Sequence, residues 1–169
     1  MLFRSKAALA EIAVATALYE EILRRVGETE FLGYEQLRAE STVLALVRNG
    51  AEVASLVAGE EGGLIVGRTP FYAERGGQVG DAGTIVAPNG EVLAEVSDTQ
   101  RPVGALTLHA VRAAASISVG DSVSLQVEPV RRAATMRNHT ATHLLHRAIR
   151  IVAGAEAKQR GSQIGRAHV

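Results

Sequence analysis

Two histidines four residues apart, His139 and His143, are the side chains with the plainest chemical potential in this sequence. They sit in Asn138-His139-Thr140-Ala141-Thr142-His143-Leu144-Leu145-His146. At about 100° per residue, a helix puts His139, Thr142, His143, His146 and Arg150 on one face. Ala141, Leu144, Leu145, Ala148, Ile149 and Val152 fall on the other, which reads as a core face. Imidazoles at i and i+4 stand side by side, with Cβ atoms about 5–6 Å apart, and can share one Zn²⁺. By spacing alone, a solvated or hydrogen-bonded histidine pair is the commoner reading. No Glu follows His139, so this is not the metalloprotease pattern. Zinc takes four ligands, or three and a water. His109 falls in a predicted strand and is expected at the surface rather than as a third ligand.

A second segment, Arg68 to Gly83, is rich in glycine and resembles a phosphate loop at first sight. It lacks the Gly-Lys-Ser/Thr ending, and no helix is predicted after it. The residues alone point to tight turns between strands, where glycine supplies positive φ.

Composition narrows the classes. The 169 residues are enough for one domain or two small ones, and 47% are hydrophobic. Aromatics are only 4% and Trp is absent, so the core must be aliphatic. Basic and acidic residues balance at 18 each, so any nucleic-acid binding must rest on local charge. There is no Cys, which excludes disulfides and thiolate ligands within these residues. No apolar run approaches the roughly 18 residues of a membrane span, and no secretory signal pattern opens the chain. A cytoplasmic protein is expected, with no membrane partner.

The elements that must position these residues are legible in outline. Lys6 to Val26 is a predicted helix with an apolar stripe at Ile12, Leu18, Ile22 and Val26, stopped by Gly27. Val43–Val47 and Val53–Val57 read as strands around an Asn49-Gly50 turn. Glu60 to Gly63 reads as another turn, leading into a strand at Leu64–Val66. Thr84–Val86 and Val92–Val96 flank Pro88-Asn89-Gly90. Leu106–Val111 and Val123–Val127 are two more strands, with Gly120-Asp121 as the turn between them. Short strands at this spacing predict a small barrel or sandwich. Helical periodicity returns from Ala133 to Val152, with Thr135 or Asn138 as the expected start.

Both ends look foreign to the rest. Ile164-Gly165-Arg166-Ala167-His168-Val169 matches one reading frame of a widely used sequencing adapter. Met1-Leu2-Phe3-Arg4-Ser5 matches its reverse complement, with a GTG start written as Met. Residues 1–5 and 164–169 are therefore expected to be adapter-derived and are left out of fold reasoning.

Taken together, the motifs carry a resemblance. Thr69-Pro70-Phe71-Tyr72-Ala73-Glu74, then Gly76-Gly77-Gln78-Val79-Gly80-Asp81, then the histidine stretch, closely resemble the alanyl-tRNA synthetase family. Phe31-Leu32-Gly33-Tyr34, Asp98-Thr99-Gln100, Val119-Gly120-Asp121, Arg131-Arg132 and Gln159-Arg160-Gly161-Ser162 extend the match, so that it runs from about Glu30 to Ser162. The resemblance implies an α+β chain. A helical lead-in over 6–41 precedes an antiparallel β-barrel-like module over 42–128. The first helix of a truncated α/β editing domain follows over 129–163.

The resemblance also implies function. Such enzymes join alanine to tRNA(Ala) using ATP, in a domain not represented here, and hydrolyse seryl- or glycyl-tRNA(Ala) made in error. A pocket that accepts a methyl group cannot exclude glycine well, because one methylene is worth only about 1–3 kcal/mol, so a second, hydrolytic site is needed. By resemblance, His139 and His143 are two ligands of the editing zinc, the others being a Cys and a His further along. Thr142, Gln159 and Ser162 match polar positions of the editing pocket. Glu156-Ala157 stands where relatives usually carry His-Val. Arg131, Arg132, Arg137, Arg147, Arg150 and Arg160 surround the histidine helix and are candidates for the tRNA backbone. Two other readings share these motifs: a free-standing editing deacylase, and a non-catalytic tRNA-docking module with structural histidines.

Overall fold

The computed structural model describes residues 6–74 and 79–153, with the backbone only at 6–13 and at several positions from 138 onward. Helix α1 spans Lys6–Val26. Eleven strands follow: β1 (Glu30–Phe31), β2 (Arg38–Arg48), β3 (Ala51–Val53), β4 (Ser55–Leu56), β5 (Glu61–Val66), β6 (Arg68–Thr69), β7 (Gly83–Val86), β8 (Val92–Gln100), β9 (Leu108–Ala113), β10 (Ile117–Ser118) and β11 (Ser122–Val127). Helix α2 covers Pro129–Ala153. The class is α+β, as expected.

The main sheet runs β11-β7-β8-β9-β5-β2-β3, and β11 also pairs with β2. That extra ladder, Ser122 with Thr42 through Gln126 with Arg38, closes six strands into a barrel and leaves β3 as an extension of β2. Closure removes the open edges that an isolated sheet would present. All these pairings are antiparallel, whereas β1 and β6 form a short parallel pair beside the barrel.

Alternation along the strands builds two cores. Val43, Leu46, Leu64, Val66, Ile85, Val111 and Leu125 point into the barrel. Ala45, Val47 and Ile65 point out and, with Leu106, receive α1 through its buried Ile22. A register shift between Val43 and Ala45 lets β2 serve both sides. Gly27 ends α1 with positive φ, and its N–H donates to the Leu23 carbonyl. The stripe read for this helix thus packs on the outer face of the barrel.

Several boundaries differ from expectation. Residues 60–63 are not a turn: β5 starts at Glu61, and the reversal lies just before it, around Gly59. Gly62 faces the Val47 carbonyl so closely that any Cβ would collide with it, so this glycine marks a close approach of strands. The predicted strand at 53–57 is split between β3 and β4, and β4 pairs with β10 rather than with β2. β1 and the start of β2 lie within the stretch read as a helical lead-in. Helix α2 begins at Pro129, ahead of Ala133, Thr135 and Asn138. Proline suits a first helical turn because its φ is already helical and its missing N–H would have no partner there.

Candidate functional site at the junction of barrel and second helix

Several of the family-like motifs, those at 31–34, 69–81, 98–100 and 131–132, converge where α2 leaves the barrel. Asp81 is buried, and its Oδ2 accepts the Tyr72 backbone N–H at 2.6 Å. Arg132, also buried, donates from Nε to Oδ1 at 2.9 Å and to Oδ2 at 2.8 Å, and a terminal nitrogen pairs with Oδ2 as well. Its other donors reach the Gly33 carbonyl at 2.8 Å and the Pro70 carbonyl at 2.7 Å. One guanidinium thus ties together the Phe31–Tyr34 segment, the Thr69–Asp81 segment and α2. The Thr99 hydroxyl completes the knot by donating to the Asp81 carbonyl at 2.9 Å.

Two glycines make this convergence possible. A Cβ on Gly33 would run into the Pro70 carbonyl and the Phe31 ring, and one on Gly80 into the Thr99 backbone. The glycine-rich segment therefore brings backbones into contact around a buried ion pair; its described glycines, Gly80 and Gly83, serve this close approach and do not adopt the positive φ that a reading as tight turns expected. Arg75, Gly76, Gly77 and Gln78 lie outside the described residues. Asp81 is buried and bonded on both oxygens, by Arg132 and by the Tyr72 N–H, so its place in the fold is that of an ion-pair partner.

Beside this knot lies a cleft of about 640 Å³ between the 31–37 segment and the first turns of α2. Phe31, Tyr34, Leu37, Tyr72 and Met136 line it. Phe31 stands edge-on to Tyr34, with ring centres 5.0 Å apart, and to Tyr72, at 6.0 Å.

His109 is fully buried in β9, against the expectation of a surface position. Its Nδ1–H donates to the Leu64 carbonyl at 3.0 Å, and its Nε2 accepts the Thr69 hydroxyl at 2.8 Å. Phe71 meets the ring edge-on at 5.3 Å. Burial pushes the imidazole pKa down to about 4, against a smaller opposing effect of the Leu64 carbonyl. Both ring nitrogens are occupied, so His109 is a neutral core residue and not a third zinc ligand.

The residues read from sequence as the site fare differently. Positions 139, 142 and 143 lie on α2, as the periodicity predicted. The side chains of His139, Thr142 and His143 lie outside the described residues, as do Gln159 and Ser162 altogether. Among the described residues no three His, Cys, Asp or Glu side chains gather around a metal position. Positions 139 and 143 stand at i and i+4 of a continuous helix, the spacing at which two imidazoles could supply half of a tetrahedral zinc set. Of the arginines proposed for tRNA, Arg132 is corrected: it is buried against Asp81 and unavailable to phosphate. Arg131 is half-buried and Arg137 exposed, while the side chains of Arg147 and Arg150, and all of Arg160, lie outside the described residues.

Sequence reasoning gave no role to Asp81 and the wrong one to Arg132. The available signal was an Asp closing a glycine-rich run and an Arg at an otherwise apolar helix position.

Comparison with known proteins decides the family. The model of class II (A) tRNA synthetases matches residues 3–131. The chain belongs to that family. Among relatives of this synthetase segment, the alanine–tRNA ligase of Magnetococcus marinus is 47% identical over 149 residues, covering 88% of the chain and 17% of the relative. That of Rhodopseudomonas palustris is 46% identical over 153 residues, covering 90% of the chain and 17% of the relative. That of Myxococcus xanthus is 44% identical over 150 residues, covering 87% and 17%. The synthetase segment thus spans about a sixth of the length of the curated relatives it matches. No helix among its described residues is long and apolar enough to cross a membrane.

Proposed function

We propose that this segment belongs to a cytoplasmic alanine–tRNA ligase, where the barrel carries the first helix of an editing site that hydrolyses seryl- and glycyl-tRNA(Ala). The observation that carries the reading is the course of α2, which leaves the barrel at Pro129 and runs unbroken through His139, Thr142 and His143. His139 and His143 would hold the editing Zn²⁺ from one side, with the remaining ligands supplied from elsewhere in the protein. Zinc bound there would polarise the ester or its attacking water. Thr142 would hydrogen-bond the aminoacyl group, and Gln159 and Ser162 would position that group or the water. Arg131 and Arg137 are candidates for phosphate contacts on the acceptor stem. ATP and alanine would be handled by a separate aminoacylation domain.

A free-standing deacylase and a tRNA-docking module remain the alternatives. The seating of α1 on the barrel through Ile22 favours the synthetase, because it makes the lead-in helix an integral part of the fold.

The test compares seryl-tRNA(Ala) deacylation by the 169-residue chain with that by the full-length synthetase containing it. Two imidazoles supply half of a zinc set, and a misplacement of about 1 Å already costs about 100-fold. The full-length protein should be active and the chain inactive, with weak, non-stoichiometric Zn²⁺ binding. Equal activity in both, or tight stoichiometric zinc in the chain alone, would contradict the assignment.

A further inference from the structure

We infer that Arg132 is a positioning residue for the editing site: its buried pairing with Asp81 fixes the rotation of α2 about its own axis, and with it the direction of the His139–His143 face. For its functional consequence the inference rests on the editing function proposed above. Its structural part does not.

Among the described residues, the backbone ties α2 to the barrel at its first turn. β11 runs into α2 through Glu128, whose N–H donates to the Ala82 carbonyl. A single backbone junction leaves a helix free to roll and swing. One turn further on, Arg132 supplies the second attachment, with bonds from Nε and both terminal nitrogens to Asp81, Gly33 and Pro70. These acceptors sit on segments that are themselves bonded to the barrel: Asp81 through Thr99, and the 31–34 segment through the Leu32 N–H to the Thr69 carbonyl, Thr69 being held in turn by His109 of β9. A planar guanidinium held on three sides cannot turn without breaking several bonds at once.

Helix geometry carries this constraint outward. Positions 139 and 143 lie seven and eleven residues beyond 132. At 100° per residue both fall within about 20° of position 132 around the helix axis. The clamp and the histidine pair thus share one stripe of α2, so any roll released at 132 reappears at 139 and 143.

The test has two arms. The chain has no Cys, so spin labels can be placed by Glu95→Cys on the barrel and Ala141→Cys on α2, both exposed positions. Pulsed dipolar spectroscopy should give one narrow distance peak in the otherwise native chain. The double substitution Asp81→Asn with Arg132→Met, which strands no charge, should lose that peak while the barrel keeps its β-sheet spectrum. Arg132→Lys keeps the charge but not the fork, and serves if the double variant unfolds; it too should lose the narrow peak. A narrow peak retained in a folded variant overturns the inference. In the full-length synthetase, Arg132→Lys should lower kcat for seryl-tRNA deacylation by about 10- to 100-fold, leaving KM and aminoacylation unchanged. An unchanged kcat overturns the positioning role. If the unsubstituted synthetase does not deacylate seryl-tRNA, the editing function fails instead, and the clamp is judged on the distance peak alone.

Discussion

The barrel buries Leu64, Phe71, Ile85 and Leu125 completely, whereas α2 leaves Leu144 64% and Val152 88% exposed. The polar groups differ in the same way. In the barrel, buried His109, Thr69 and Thr99 each find a partner. On α2 the last buried charged side chain among the described residues is Arg132, at the barrel junction. The barrel is therefore a finished object, closed on itself and shielded on one flank by α1. Beyond Arg132, the described apolar side chains Met136, Leu144, Ile151 and Val152 of α2 are exposed. A closed barrel thus carries a helix whose described outer positions are exposed.

The contrast can be broken first at the barrel core. Phe71→Ala should cost about 3–5 kcal/mol, because a fully buried ring leaves a cavity in a closed barrel that cannot collapse around it. Chemical denaturation followed by circular dichroism measures this, and a cost under about 1 kcal/mol would mean that the interior is loosely packed. Acid gives a somewhat smaller effect. His109 has its folded pKa lowered from 6.5 to about 4. Its contribution is therefore fully present above pH 6.5 and is lost as pH falls from 6.5 towards 4, where the unfolded chain binds a proton that the folded barrel refuses. The loss should reach about 3 kcal/mol across that window and disappear in His109→Gln. A stability that stays flat from pH 7 to pH 4 would show that the imidazole is not held neutral. The smallest effect belongs to α2. Leu144→Gln should change the stability of this chain by less than about 0.5 kcal/mol, since Leu144 is already exposed. A cost comparable to that of Phe71→Ala would erase the distinction between the two regions.

How much of this was readable from sequence follows from the range of the interactions. Helix α1 was legible because its stripe and its Gly27 stop are local. So were the reversals at Asn49-Gly50, where both residues adopt positive φ, and around Gly90 and Gly120. The start of α2 was hidden because the inward position of its first turn holds Arg132 instead of an apolar residue, so no periodicity announced it. The burial of His109 depends on Leu64 and Thr69, 45 and 40 residues away. Asp81 and Arg132 are 51 residues apart and have no local signature. Gly62 resembled a turn because a glycine chosen for close packing and one chosen for positive φ are the same letter. Of the site, sequence reasoning placed positions 139, 142 and 143 on a helix but gave no hint of what orients that helix.

The most direct test of the account is seryl-tRNA(Ala) deacylation by the full-length synthetase carrying His143→Ala, measured beside alanylation of tRNA(Ala) by the same preparation. If α2 is one wall of a hydrolytic site, deacylation should fall by about 100-fold or more, the scale of a 1 Å misplacement of reacting groups, while alanylation is unchanged. Deacylation at the unsubstituted rate, or an equal fall in both activities, would contradict the claim that this helix serves editing.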